Sequence, residues 1–318
     1  MNAISERIKN EVTKVIKGKD AVVEKVLMAI LARGNVLLED VPGVGKTTMA
    51  LAFAKSMGLA TRRVQFTPDT MPSDIIGFSV YDKDTGKLSY KEGAIMTNVL
   101  LADEINRTSS KTQAALLEAM EEKRVTVDGV TYELPKPFIV LATENPVGSA
   151  GTQMLPNSQL DRFMIKLSIG YPDIRSQVEI LSARRTEDPL DKVRRVVSTE
   201  ELLDLIEQTN QIEIAEDVYL YVAELVQGTR EHEMVTLGIS PRGALALTRM
   251  AKAHAFMADR DFVTPDDIRS VAPDVLAHRL MLNAKARLNE YTAEQILAEL
   301  IRDVKIPQPQ DLQALKMD

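Results

Sequence analysis

The feature that most constrains this chain is a short glycine-containing loop between an apolar run and a helical run. The apolar run is Val36-Leu37-Leu38, and the loop is Pro42-Gly43-Val44-Gly45-Lys46-Thr47-Thr48; residues 49–54 have a helix-compatible pattern. A strand, a glycine loop and a helix in this order bind phosphate, because the backbone N–H groups of the loop and the helix N-terminus face the anion. The loop therefore predicts an α/β fold that binds a nucleotide.

Two side chains of this loop have expected roles. Lys46 is expected to reach the β- and γ-phosphate oxygens of ATP, and the hydroxyl of Thr47 is expected to complete the coordination of Mg²⁺. The usual motif has Gly five residues before Gly45, whereas this chain has Asp40. An Asp fits there if its φ is negative, and it tolerates the left-handed region better than most residues do. The departure therefore does not exclude a phosphate-binding loop.

Acidic residues follow another apolar run, residues 99–102. Asp103 at the end of a strand can hold the magnesium ion through its water shell, and Glu104, on the other face of the backbone, can polarise an attacking water. Alone, such a pair is more often the start of a solvated helix, but after a phosphate loop it favours a nucleotide site. Asn145 ends the next strand, and its amide could orient the same water. These residues predict ATP hydrolysis with Mg²⁺.

The order of apolar runs divides the chain into two parts. Residues 1–172 predict an α/β domain with one parallel sheet, and residues 173–318 have helical periodicity and predict a helical domain. Asp128-Gly129 between β-branched residues predicts a β-hairpin over 124–134, and a second hairpin is expected over 78–90. Helix starts are predicted at Ser198, Thr264 and Thr292. The five expected strands are 36–38, 63–66, 99–102, 138–142 and 163–167.

Composition excludes several classes of protein. The sequence has no Cys, which excludes a disulfide framework and a thiolate metal site. No uninterrupted run of 18 apolar residues occurs, so membrane insertion is not expected, and a cytoplasmic location is predicted. The net charge is −7 and the isoelectric point is about 5.3. This charge argues against nucleic acid as a general partner.

Taken together, these residues resemble the MoxR family of AAA+ ATPases, and the resemblance spans essentially the whole chain. It implies a five-stranded parallel core in the order 5-1-4-3-2, a helical lid, and a homo-oligomeric, hexameric ring with ATP held between neighbours. Asp40 in place of Gly is tolerated in that family. The motifs that carry the resemblance are the phosphate loop from Leu37, Gln65-Phe66-Thr67-Pro68-Asp69, Met71-Pro72-Ser73-Asp74-Ile75, Ala102-Asp103-Glu104-Ile105-Asn106-Arg107, Ala142-Thr143-Glu144-Asn145-Pro146 and Gln159-Leu160-Asp161-Arg162-Phe163.

The resemblance also assigns roles to single residues. It implies that Asn145 is sensor 1, that Arg162 is the arginine finger offered to the γ-phosphate of a neighbour, and that Arg242 is sensor 2. It places Val15-Ile16 beside the adenine. Whether Arg242 acts within its own subunit or across the interface stays open at this point, and Arg107 is a second candidate for the trans charge.

The resemblance finally implies a function for the two hairpins and for the ring. Residues 76–95 resemble the helix-2 insert and residues 124–134 the hairpin before sensor 1, both of which face the central pore in related rings. Family members act as chaperone-like remodelers that mature or activate protein complexes, often beside a partner with a von Willebrand factor A domain. A protein client and such a partner are therefore implied. Two alternatives remain, a nucleic-acid ring motor and a nucleotide-gated scaffold that needs no turnover.

Overall fold

The computed structural model describes residues 2–41, 43–84, 86–145, 155–183 and 188–306, so the predicted loop residue Pro42 lies outside the described residues. The strands are β1 Val36–Glu39, β2 Thr61–Gln65, β3 Gly77–Asp82, β4 Lys87–Glu92, β5 Val99–Asp103, β6 Arg124–Val127, β7 Val130–Glu133, β8 Ile139–Glu144, β9 Ile165–Leu167, β10 Val235–Leu237 and β11 Met281–Leu282. The helices are α1 Ala3–Thr13, α2 Asp20–Leu31, α3 Lys46–Ser56, α4 Pro72–Ile76, α5 Ser110–Glu122, α6 Asn157–Leu160, α7 Ile174–Ala183, α8 Thr199–Asn210, α9 Glu216–Glu231, α10 Pro241–Met257, α11 Pro265–Leu276, α12 Ala284–Leu288 and α13 Ala293–Asp303.

The five predicted core strands form one parallel sheet. Its order is β2-β5-β8-β1-β9, which is the expected order 5-1-4-3-2 when the core strands are numbered along the chain. Every residue of β5 and β8 is buried, because these strands lie inside the sheet with helices on both faces, and this explains their continuous apolar runs. The predicted fold class is therefore confirmed.

The carboxyl ends of the central strands meet at one edge of the sheet. Gln65 pairs with Asp103 across β2 and β5, and Glu39 pairs with Glu144 across β1 and β8. The phosphate loop follows β1 directly, so it lies at the edge where β5 ends in Asp103 and β8 ends in Glu144. Ligands of open α/β sheets bind outside this edge.

Both predicted hairpins are present. Strand β3 pairs with β4 antiparallel, and β6 pairs with β7 through a turn at Asp128 and Gly129, whose φ values of 50° and 80° fit the two left-handed positions of a type I′ turn. The rings of Tyr90 and Tyr132 stack with their centroids 4.0 Å apart. This stacking joins the two hairpins.

The second half of the chain is helical and packs on the sheet domain. The helix starts predicted at Ser198, Thr264 and Thr292 are the N-caps of α8, α11 and α13, and each of them forms a capping box. A small antiparallel sheet of β10 and β11 was not predicted, because strands of three and two residues are too short to show alternation. Within the described ranges, no helix is both long and apolar enough to cross a membrane.

One continuous hydrophobic cluster joins the two halves. It contains Val26 of α2 and Phe53 of α3 together with Leu205 of α8 and Leu247 of α10. The predicted boundary at residues 172 and 173 falls in the connection between β9 and α7. The division into 1–172 and 173–318 stays a prediction, and the shared core holds the helical half at a defined place beside the sheet.

Candidate nucleotide-hydrolysis site

The phosphate loop has the backbone that its glycines predict. Gly43 and Gly45 have φ values of 89° and 99°, a region that residues with a Cβ seldom adopt. A Cβ built on Gly43 would meet nothing within 4 Å, so the loop is open on this side to a ligand. Gly45 is the N-cap of α3, which therefore points its first N–H groups, those of Lys46, Thr47 and Thr48, at the space outside the sheet.

A cavity of about 280 Å³ lies against this loop. The predicted adenine-flanking residues Val15 and Ile16 are buried and form one wall, and Ile180 of α7 lies on another. The predicted loop residues that line it are Gly43, Val44, Gly45 and Thr48. The cavity thus combines apolar walls that suit a base with backbone N–H groups that suit phosphates.

Asp40 connects the phosphate loop to the start of the helical half. Its Oδ2 accepts hydrogen bonds from the backbone N–H of Ile169 at 2.5 Å, the N–H of Gly170 at 2.9 Å and the hydroxyl of Ser168 at 3.1 Å. Asp40 is not among the described residues with a positive φ, so it needs no glycine-like backbone. Asp40, which stands where the usual motif has Gly, therefore links the end of β1 to the connection that leads to α7.

Lys46 is buried among carboxylates at the edge of the sheet. Its Nζ donates to the carbonyl oxygen of Asp40 at 2.5 Å and lies 3.3 Å from that of Glu144. Burial lowers the pKa of Lys46, and the charges of Asp40, Asp103, Glu104 and Glu144 partly offset this effect. Within the described part of the chain, its two hydrogen-bond partners are carbonyl oxygens, so this buried ammonium group can transfer its hydrogen bonds to phosphate oxygens.

Asp103 lies beside Thr47, as the two predicted magnesium-site residues should. The hydroxyl of Thr47 is 3.4 Å from Oδ2 of Asp103, and the hydroxyl of Thr143 donates to Oδ1 over 3.3 Å. Hydroxyl and carboxylate oxygens are the ligands that Mg²⁺ prefers, so this donor set fits a magnesium ion carried by ATP. The Nε of Arg63 also pairs with Asp103 Oδ2 at 2.7 Å, a contact that sequence reasoning missed because only the sheet brings β2 beside β5.

Glu104 is held by three polar partners. Its backbone N–H donates to the hydroxyl of Thr143 at 2.9 Å, and its φ of 57° lies in the left-handed region, which non-glycine residues seldom adopt. Arg107 donates to Oε2 at 2.8 Å and Asn145 to Oε1 at 3.0 Å. Burial raises the pKa of Glu104, but the hydrogen bonds from Arg107 and Asn145 outweigh it, and the pKa lies below its ordinary value. The carboxylate is therefore ionised at neutral pH and can accept a proton.

Asn145 is itself fixed by a neighbour that sequence reasoning did not single out. The side-chain amide of Asn106 donates to the carbonyl oxygen of Asn145 at 3.0 Å, and both residues are buried. Asn106 follows Glu104 by two residues, within a motif already used for the resemblance. Its position close to the acidic pair could have indicated a role in the site, but only the fold shows that its partner is Asn145.

Arg162 and Arg242 lie together in a second cavity of about 420 Å³. Both pair with Glu121 of α5: Arg162 Nε is 3.6 Å from Oε2, and Arg242 makes a short contact with Oε1. Among the described residues, this cavity shares no lining residue with the cavity at the phosphate loop. Six basic side chains and two carboxylates line it, namely Arg33, Lys123, Arg162, Arg242, Arg249 and Arg279 with Glu121 and Asp161.

Comparisons with known proteins agree with this arrangement. A family model described as the ATPase family associated with various cellular activities (AAA) matches residues 35–165, and one described as the AAA lid domain matches residues 227–300. The protein named Chaperone MoxR1 of Mycobacterium tuberculosis is 38% identical, over 95% of this chain and 82% of its own length. The chain belongs to the MoxR family of AAA+ ATPases.

Two further relatives of this MoxR-family chain cover nearly its whole length. An uncharacterised protein, YeaC of Bacillus subtilis, is 47% identical over 93% of this chain and 92% of its own length. A crystal structure of a candidate ATPase from Cytophaga hutchinsonii superposes with a TM-score of 0.88 at 39% identity, over 95% of this chain and 94% of the other. The AAA match contains Asp103, Glu104 and Asn145, and the lid match contains Arg242.

Proposed function

We propose that this chain hydrolyses ATP at a site that two subunits of a ring share. The observation that carries the proposal is the separation of its charged groups into two places in the structure. Lys46, Asp103 and Glu104 lie beside the phosphate loop, at the carboxyl ends of the central strands. Arg162 and Arg242 lie together in the cavity lined by six basic side chains, here called the basic cavity. A cation supplied by a neighbour contributes about 10³ to 10⁵ in rate in P-loop enzymes. Both arginines therefore act in trans in this proposal.

Each residue at the phosphate loop then has one task. Mg²⁺ bound with ATP neutralises phosphate charge, and Thr47 and Asp103 are the residues that would hold it. Lys46 gives its hydrogen bonds to phosphate oxygens. The amide of Asn145 and the carboxylate of Glu104 orient the attacking water, and Glu104 accepts its proton. Arg107, which already pairs with Glu104, keeps this carboxylate ionised until water and nucleotide are in place.

The basic cavity supplies the missing positive charge. Six basic groups against two carboxylates leave an excess of positive charge in a recess, where an anion is attracted more strongly than in open water. The Nε of Arg162 is buried and has no hydrogen-bond partner among the described residues. The ion pair of Arg162 with Glu121 is long, at 3.6 Å, so Arg162 can exchange it for the γ-phosphate of a neighbour, and Arg242 contacts the same carboxylate.

The work done by hydrolysis is remodelling of a protein client. A relative named as a chaperone supports this choice. The β3–β4 hairpin supports it as well, because Phe78, Val80, Tyr81 and Leu88 expose large apolar surfaces there that suit an unfolded polypeptide better than a phosphate backbone. A hexameric ring, a von Willebrand factor A partner and a cytoplasmic location complete the proposal.

The test is the ATPase rate as a function of protein concentration, with assembly followed by light scattering, for the wild type and Arg162→Ala. Specific activity is expected to rise steeply as the ring forms, and to fall by about 10³-fold or more in the variant while assembly persists. Arg302→Ala is the matched control, since Arg302 is exposed and pairs with Asp303. Activity that does not depend on concentration or on Arg162 would favour the nucleotide-gated scaffold, and DNA-stimulated turnover would favour the nucleic-acid motor.

A further inference from the structure

Asp161, the residue before Arg162, is held by two side chains of the helical half. Arg279 donates from Nε to Oδ1 of Asp161 at 2.8 Å, and the hydroxyl of Ser240 donates to Oδ2 at 3.1 Å. Both carboxylate oxygens of Asp161 are thus engaged by residues that follow it by 118 and 79 positions. These hydrogen bonds therefore connect the sheet domain to the helical half directly beside Arg162.

Arg279 also forms hydrogen bonds with the backbone on both sides of Arg162. Its Nη2 donates to the carbonyl oxygen of Phe163 at 2.6 Å and lies 3.2 Å from that of Asp161, and its Nη1 lies 3.2 Å from the carbonyl oxygen of Met164. Arg279 is buried, and burial lowers its pKa although Asp161 opposes the shift. A guanidinium group keeps its charge in proteins, so its planar fork can fix these acceptors in one geometry.

Ser240 connects the same carboxylate to Arg242. It is the N-cap of α10, because its hydroxyl oxygen accepts from the N–H of Gly243 at 3.2 Å, and Arg242 lies in the first turn of this helix. Asp161 therefore sets both the backbone that carries Arg162 and the helix start that carries Arg242. The two arginines then converge on Glu121.

We propose that Asp161, Arg279 and Ser240 are positioning residues that present Arg162 and Arg242 as one unit to the nucleotide of the neighbouring subunit. The proposal rests on the proposed function, since it requires that the arginines act in trans. The proposal also connects the nucleotide cavity of one subunit with the arginines that this subunit presents to the next. Helix α7 lines the nucleotide cavity and leads into the helical half, so a shift of that half on nucleotide binding would move the arginine pair that faces the next subunit.

A mixing experiment tests the proposal, because it separates the subunit that supplies arginines from the one that supplies the hydrolytic site. Glu104→Gln subunits retain Arg162 but do not hydrolyse, and Arg162→Ala subunits retain Glu104 but lack the finger. Mixed rings should regain ATPase activity. Asp161→Asn is then added either to the Glu104→Gln subunit or to the Arg162→Ala subunit, and kcat and KM are measured with thermal unfolding of each variant.

In the Glu104→Gln subunit, Asp161→Asn should lower the recovered kcat by about 10²-fold with KM for ATP unchanged, since a displacement of about 1 Å has that effect on a catalytic group. In the Arg162→Ala subunit it should change kcat by less than about twofold, because the arginines that serve the recovered hydrolytic sites come from the Glu104→Gln subunits. An equal loss from both placements would mean that the contact only joins the two halves, and would overturn the proposal.

Two further outcomes are decisive. No recovery in the parent mixture, with mixed rings detected, would overturn the shared site and this proposal together. If Asp161→Asn does not fold, Ser240→Gly replaces it, since Gly at an N-cap costs only a few tenths of a kcal/mol of helix stability while the bond to Asp161 is lost. Its loss of kcat must again be confined to the Glu104→Gln subunit, and an equal loss from both placements would overturn the proposal.

Discussion

The side-chain amide of Asn145 donates to Oε1 of Glu104 over 3.0 Å. The two residues follow neighbouring strands, β8 and β5, so the parallel sheet itself brings an amide beside a carboxylate. Asn106 fixes the backbone of Asn145, and Thr143 fixes the backbone of Glu104. An acceptor and a donor held this rigidly can bind one water in a defined orientation, which is the requirement for attack on a phosphate.

Glu104→Gln should abolish most hydrolysis and retain nucleotide binding. The amide keeps the size of the side chain but cannot accept a proton, so kcat should fall by about 10² to 10⁴-fold. The measurement is phosphate release in assembled samples, with ATP affinity determined in parallel. Glu224→Gln on the exposed face of α9 is the control and should behave like the wild type. Hydrolysis that survives in the Glu104 variant would contradict the role of this residue.

Asp40→Asn should weaken the connection between the phosphate loop and residues 168–170. One carboxylate oxygen accepts three hydrogen bonds there, and an amide nitrogen at that position would face N–H donors instead. We expect the free energy of unfolding to fall by about 1–3 kcal/mol, with weaker ATP binding, because buried donors lose their acceptor. Urea unfolding and nucleotide titration measure the two effects. The exposed Asp69→Asn should show neither, and equal behaviour of both variants would refute the link.

The acid stability of the helical half should depend on Asp267. This buried carboxylate accepts from Thr264 and Arg260 and contacts His254; burial raises its pKa, but these hydrogen bonds together hold the pKa far below its ordinary value. A depressed folded pKa contributes stability that is present above the unfolded pKa of about 4 and is lost as the pH falls further. The melting temperature should therefore fall steeply below about pH 4.

Asp267→Asn should lower the melting temperature at pH 7 and flatten this acid dependence, because the variant has no carboxylate to protonate. Removing one partner of a buried ion pair costs about 3–5 kcal/mol. Thermal unfolding from pH 3 to pH 7 compares the two proteins. Asp266→Asn is the control, since its side chain is exposed and pairs with Arg269 at the surface. An unchanged acid slope in the Asp267 variant would assign the acid loss to other carboxylates.

Glu121→Gln should make the trans arginines easier to engage. In the proposed ring, Arg162 and Arg242 must leave Glu121 to meet the phosphates of a neighbour, and each contact is half exposed. Exposed ion pairs contribute about 0.2–1 kcal/mol, so the protein concentration for half-maximal ATPase activity should fall by about two- to fivefold. Glu118→Gln on the same helix is the matched control. A rise in this concentration would mean that Glu121 holds the arginines in their productive position.

Much of the fold followed from local signals. The strand, glycine loop and helix around Lys46, the Asp-Gly turn at Asp128 and the capping box at Ser198 each depend on residues within a few positions of one another. The resemblance supplied the strand order, which periodicity alone does not contain. The β10–β11 pair escaped prediction because its strands are too short to carry a pattern.

The sequence by itself determined which residues could bind phosphate, hold magnesium and activate water, because these chemistries require particular side chains at short spacings. Only the tertiary structure decided that Arg63 pairs with Asp103 and that Arg242 and Arg162 both contact Glu121. It also decided that Arg279 pairs with Asp161, which lies 118 residues before it. Such contacts depend on where the helical half docks on the sheet. That placement follows from the shared hydrophobic core, which packs nondirectionally and leaves no local motif in the sequence.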